Sequence, residues 1–400
     1  MMVKIISLIL ILACCSIVSA QDQWVIKDSI NGAPKSAASS FSIGGEAYLL
    51  AGLDDDGFRR KVYSYKYSID DWDNEGSIGG ANGSGLGRGL ATAFAIGSKG
   101  YICLGQGDTN PFFKDLWEYN SQTGVWSQKA DFVGSARRGA VGFEIDGNAY
   151  VGTGIDVNGF TNDMYKYDPS DNSWVQIANF PGTPRKEAVG FSMGLQGYIG
   201  TGDDGVLKKD FWQYESATDT WNQMPDFPST ARKGAVGWGI FPQAFIATGE
   251  DTNFEFKKDL WEFNYYTETW NQRADFLGEG RSNAIAFVLE GVSFIGSGYN
   301  GVFLDDLYGY RRILGIDESE LNLELSVFPN PSSDYMIISG DFKKEELQLF
   351  SMDGKNATNK IEIEETSNGL KFYKNELSSG TYLVRCVHDN STYSSTIVFQ

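Results

Sequence analysis

A basic residue recurs at Lys35, Arg88, Arg137, Arg185, Arg232 and Arg281. Each stands six residues ahead of an aromatic: Phe41, Phe94, Phe143, Phe191, Trp238 and Phe287. A second set, Asp54, Asp156, Asp204, Asp251 and Asn300, follows a fixed glycine by two residues, and only Gly107 breaks it. Guanidinium groups present a planar fork of donors that fits a carboxylate or sugar hydroxyls, so the two sets admit two readings. As scaffold, each basic residue pairs with an aspartate of the neighbouring repeat and staples the units together. As a ligand site, a subset stays free, with Arg88 and Arg137 leading because they flank the repeat that lacks its acid. A residue repeated in every unit favours scaffold, since a site needs only one geometry. A third set, Asp115, Asp163, Asp210, Asp259 and Asp306, opens a strand-like run and reads as turn and strand-start hydrogen-bonders.

Other chemistries are thinned by inventory. The single histidine, His388, lies far from these sets, so a Ser-His-Asp triad or a two-histidine copper site has no ligands. "DDDG" at Asp54 and "GDDG" at Gly202 lack calcium-loop spacing; no metal and no cofactor are expected. The glycine-rich stretch "DNEGSIGGANGSGLGR" is five residues longer than its counterparts (sixteen less eleven). Phosphate-cradling loops lead into a helix and none follows, so it reads as a flexible insertion. A formal net charge of -19 argues against nucleic acid or an anionic membrane surface as partner.

The elements that position these residues repeat in step. Trp24, Trp72, Trp126, Trp174, Trp221 and Trp270 are spaced by 48, 54, 48, 47 and 49 residues. Gly52, Gly105, Gly154, Gly202, Gly249 and Gly298 each close a run such as "YVGTG". A third marker is "KVYSY", "DLWEY", "DMYKY", "DFWQY", "DLWEF" and "DLYGY". Each unit holds four short runs rich in Val, Tyr, Phe and Trp between turn residues, which is the pattern of a four-stranded propeller blade. Small residues in the first run, such as Ala140 with Gly142 and Ala188 with Gly190, suit innermost strands crowded round an axis. The sixth unit lacks a Trp strand, and the chain begins with an orphan one, "QWVIKDS". An all-β, six-bladed propeller closed by that N-terminal strand follows, free of open edges between blades.

The phrase "DLWEYNSQTGVW", with a small-residue-Gly strand end before it and Trp closing each unit, resembles the kelch repeat over residues 21–312. Kelch units usually carry Gly-Gly where this chain has Thr-Gly, Ala-Gly, Ser-Gly or Leu-Gly. The resemblance implies a propeller presenting loops for a protein or glycan ligand. A second kelch-type relative, the exported sialic acid mutarotase, implies a metal-free carbohydrate-modifying enzyme as the alternative, although no motif residue matches one by one.

The two ends address export. Residues 1–20 read as a signal peptide cut after Ala20, with lipidation at Cys14 as the lesser alternative. The remaining cysteines, Cys103 and Cys386, read as buried free thiols. After a linker at 313–325, "VFPNPSSDYMIISG", "LQLFSMDGK" and "LSSGTYLVRC" suggest a small β-sandwich over 326–400. They closely resemble the C-terminal sorting domain of the Bacteroidetes type IX secretion system, which implies that machinery as a partner and a secreted or outer-surface location. The expected function is an exported module that binds a protein or glycan outside the cell.

Overall fold

The computed structural model describes residues 22–312, apart from 31–33, 81–82 and 84–85, and most of 327–399. The expected signal peptide with Cys14, the expected linker and part of the glycine-rich stretch lie outside the described residues. The chain divides into two compact units, the first spanning Asp22–Arg311. No α-helix occurs among the described residues, and none is long and apolar enough to cross a membrane.

The first unit contains six four-stranded antiparallel sheets, here blades 1 to 6. Blade 3 shows the plan: Val141–Ile145, Asn148–Gly152, Met164–Asp168 and Ser173–Ile177 pair in sequence order. The other first strands are Ser39–Ile43, Thr92–Ile96, Val189–Met193, Val236–Ile240 and Ile285–Leu289. Each touches the first strands of both neighbours, and that of blade 6 touches that of blade 1. The small residues expected on these strands line an axial cavity of ≈ 200 Å³. Gly142 and Gly190 are obligatory there, because an added Cβ would meet Thr92 at 2.2 Å and Val141 at 2.5 Å.

Gln23–Lys27 completes blade 6, pairing Trp24 with Tyr310 beside Leu307–Arg311. Five of the six blade-closing tryptophans then tie their blade to the preceding one. The indole Nε1 donates to a backbone carbonyl there: Trp24 to Ala274, Trp72 to Asp28, Trp174 to Ala130, Trp221 to Ala178 and Trp270 to Pro225, at 3.0–3.2 Å. Trp126 finds no acceptor. The equivalent carbonyl would be that of Gly76, in a strand whose pairing register shifts opposite Val62 and Tyr63.

Two further sets of inter-blade bonds are closed circles. Each marker glycine donates its N–H to the carbonyl of the next blade's basic residue: Gly52 to Arg88, Gly105 to Arg137, Gly154 to Arg185, Gly202 to Arg232, Gly249 to Arg281 and Gly298 to Lys35. Nearer the axis, Leu90 donates to Ala37, Gly139 to Leu90, Glu187 to Gly139, Gly234 to Glu187, Asn283 to Gly234 and Ala37 to Asn283, at 2.8–3.1 Å. All six residues of this inner circle have φ between 51° and 62°, which turns each N–H sideways to its neighbour.

The second unit packs two sheets face to face. One holds Val327–Phe328, Tyr335–Ser339, Gly369–Tyr373 and Glu362–Thr366, and the other Leu347–Ser351, Gly380–His388 and Ser391–Phe399. Met336, Ile338 and Phe372 from one meet Leu349, Val384 and Ile397 from the other in a common core. This sandwich is the architecture expected for the C-terminal segment.

Candidate functional site at the channel mouth

The basic residues lie beneath the loop face rather than on it. Arg88, Arg137, Arg185, Arg232 and Arg281 are at most 1% exposed. Their partners are the strand-opening aspartates of their own blades: Asp115, Asp163, Asp210, Asp259 and Asp306. The pairing is bidentate, with Nη2 to Oδ2 at 2.8–3.0 Å. Nη1 also donates to the carbonyl of the residue before the marker glycine, and Nε to a carbonyl two residues back. A phenylalanine ring covers each guanidinium at 4.1–5.2 Å. Burial pushes the carboxyls of Asp163, Asp210 and Asp259 upward, but the arginine bonds outweigh it and hold them below their usual range.

This corrects the expected geometry in three respects. The pairs are made within a blade, not between blades. The aspartates read as strand-start hydrogen-bonders are the ion-pair partners. Arg88 is not left free by Gly107, because its carboxylate is Asp115. Asp54, Asp156, Asp204 and Asp251 do sit on loops of the expected face, yet they serve those loops. Asp54 binds Arg59 Nε at 2.6 Å, and Asp156 accepts from Ser135 Oγ and the Asn158 and Gly159 N–H groups. Asp204 holds Lys208 at 2.8 Å, and Asp251 holds Lys257 at 2.7 Å and two loop N–H groups. For Asp204, burial is outweighed by Lys208 and Thr183, and its pKa falls to about 2. Asn300 donates to Glu279 at 2.7 Å.

Lys35 departs from its ring. Lys61 stands where the other blades have the aspartate, and the Lys35 ammonium lies over the Tyr63 ring at 4.6 Å. Burial pushes its pKa down to about 8, against a smaller opposing pull from Asp54.

What breaks the repeat is the next residue along. After the buried basic position come Ser36, Gly89, Arg138, Lys186, Lys233 and Ser282, each bridged to the residue that follows its marker glycine. Arg138 is half-buried opposite Ile155. Its Nη1 donates to Gln106 Oε1 of blade 2 at 2.7 Å, and its Nε is buried without an acceptor. Lys186 Nζ lies 3.2 Å from Glu187 and 3.7 Å from Asp203. Glu187 belongs to the inner circle and leans over Gly139, where an added Cβ would meet its Cγ at 3.3 Å. Glu187, Asn283 and Leu90 line a mouth of ≈ 110 Å³ above the axial cavity, and Arg138 and Lys186 immediately precede the lining residues Gly139 and Glu187. Blades 2 to 4 thus bring the Gln106–Arg138 and Lys186–Glu187 contacts beside that lining, with Lys186 and Glu187 against Gly139. Sequence reasoning passed over them because it followed the position that repeats. The signal was the failure of its neighbour to repeat.

Comparison with known proteins agrees with this architecture. Residues 38–235 match the family described as the KLHDC2/KLHL20/DRC7 Kelch-repeats domain, and residues 326–400 the Secretion system C-terminal sorting domain. No curated protein sequence matches the chain. Among solved structures, the chain titled "Structure of YjhT" superposes with a TM-score of 0.60 at 16% identity, covering 70% of this chain and 95% of that one. At that identity the likeness shows the fold alone, and a fold shared with 800 solved chains does not select a function.

Proposed function

We propose that this chain, a kelch-repeat domain exported by type IX secretion to the cell surface or beyond under the direction of its sorting domain, is a binding module that takes an acidic glycan at the channel mouth. The observation that carries this reading is Arg138. A half-buried guanidinium costs free energy unless its donors are satisfied. Its Nη1 donates to the neutral amide of Gln106, and its buried Nε has no acceptor among the described residues. A ligand carboxylate or a pair of sugar hydroxyls supplies what the protein leaves open. Gln106 bonds it directly, and Lys186 and Glu187 add a donor and an acceptor against Gly139, the next residue along. The backbone circle beneath holds these positions rigid, which lowers the ordering cost of binding.

A metal-free sugar-modifying enzyme would use the same mouth, with Glu187 moving protons. Lys186 holds that carboxylate in an ion pair, which favours binding over catalysis. The test is a glycan array probed with the full exported chain and its Arg138→Met variant. Retention by acidic glycans that the variant loses is the expected result. Equal retention by both proteins would contradict the assignment of the mouth.

A further inference from the structure

The loops between second and third strands share a plan. In blades 4 and 6 the left-handed turn position is Gly205 or Gly301, with φ of 99° and 111°. In blade 5 the same position, three residues before the one that donates to the marker glycine's carbonyl, is Phe254. Its φ is 62° and it is 78% exposed. An L-residue in this conformation is strained by roughly 1–2 kcal/mol, and a largely exposed ring gains little from burial in return. No aromatic contact to the Phe254 ring occurs among the described residues. The turn is nevertheless held firmly, since Asp251 accepts from the Asn253 and Glu255 N–H groups and Phe254 N–H donates to the Asp251 carbonyl. Two residues further along, Phe256 meets Tyr299 of blade 6 edge to face at 6.2 Å, and Tyr299 meets Phe303 at 5.4 Å. Tyr299 is 37% exposed and bridges Ser282, the neighbour of Asn283 at the mouth. Phe256, Tyr299 and Phe303 thus cluster across the boundary of blades 5 and 6, with the exposed Phe254 on the turn two residues before Phe256. Asn253 and Glu255 adjoin Phe254 in the chain, and Asn300, which donates to Glu279, adjoins Tyr299.

Resting on the mouth as a glycan site, we infer that this aromatic strip is an extended subsite for the following rings of a polysaccharide, with Tyr299 and Phe254 as stacking platforms. A pyranose has an apolar C–H face and a hydroxyl edge. The strip offers the complement of both, a ring face at rigid backbone and amides or carboxylates beside it. Strain at an exposed aromatic is the mark of a recognition element rather than a packing element.

The experiment uses the full exported chain in native affinity gels cast with polygalacturonate, hyaluronan, laminarin or xylan, together with calorimetric titration of galacturonic acid and glucuronic acid. The wild-type chain should be retarded by at least one polysaccharide. Phe254→Ala and Tyr299→Ala should each weaken that retardation about tenfold, as expected for a lost stacking contact of about 1.4 kcal/mol. They should leave monosaccharide binding unchanged, whereas Arg138→Met abolishes it. Phe254→Gly should lose the same affinity while melting no lower than wild type, which separates recognition from stability. No retardation of the wild type by any of the four polymers, or retardation equal in wild type and Phe254→Ala, overturns the subsite. Absence of monosaccharide binding by the wild type instead overturns the mouth.

Discussion

Lys35 shows what the buried basic position is for. In blades 2 to 6 an arginine spends its guanidinium on an aspartate and two carbonyls, satisfying a buried charge from several sides. In blade 1 the carboxylate is replaced by Lys61, and no ion pair to Lys35 occurs among the described residues. Its pKa is pushed below the ordinary 10.5 to about 8. A folded value under the unfolded one means that the unfolded chain binds the extra proton between these limits. The penalty for burying the charge is complete below pH 8 and is relieved as pH rises toward 10.5. Chemical denaturation at pH 7, 8.5 and 10 should therefore show the wild type gaining on Lys35→Met, by about 2 kcal/mol across the range. Lys61→Asp should abolish this gain and raise stability at pH 7, because it restores the carboxylate that the other blades carry.

At the scale of the strand end, the residue before each marker glycine explains why related repeats favour Gly-Gly. Ala51, Leu104, Thr153, Thr201, Thr248 and Ser297 all have φ of 58–62°, next to glycines at 98–107°. That turn aims a carbonyl at the arginine Nη1 in blades 2 to 6. This chain holds L-residues there at a strain of roughly 1–2 kcal/mol each, and the Thr153 and Thr248 hydroxyls are buried without partners. Thr248→Gly removes both defects and loses one buried methyl and some unfolded-state restriction. The expected outcome is a net gain on the order of 1 kcal/mol, read as a higher melting temperature. The blades themselves were legible from the sequence, since strand length, the Trp and Gly markers and the small first-strand residues each report local geometry. The arginine–aspartate pairs were not. Both residue types were visible, but the pairing depends on which loop carbonyls turn inward, and that is set by left-handed residues that the sequence does not mark with glycine. Arg138 was missed for a related reason, as its burial next to Gln106 depends on the neighbouring blade.

At the largest scale, the propeller unit is closed three times over. The N-terminal strand completes blade 6, the marker glycines donate round one circle, and the left-handed residues donate round a second. Such closure gives the mouth a rigid frame on which only a few positions are free to vary, and those carry the proposed recognition. The sorting domain acts separately from that frame. Deleting residues 326–400 should leave the protein in the periplasm, and fractionation followed by immunoblotting checks it; release into the medium at the full-length level would contradict the role of the domain. The most direct test of the central claim sets two adjacent arginines against each other. Arg137 is a repeated, fully paired residue, and Arg138 is unrepeated and open to a ligand. Melting temperature and acidic-glycan binding should be measured for Arg137→Met and Arg138→Met. Arg137→Met should lose about 3–5 kcal/mol of stability, because Asp163 is left without its partner. Arg138→Met should melt like the wild type and bind no glycan. Binding lost equally in both at matched stability, or retained in Arg138→Met, would contradict the division between scaffold and site.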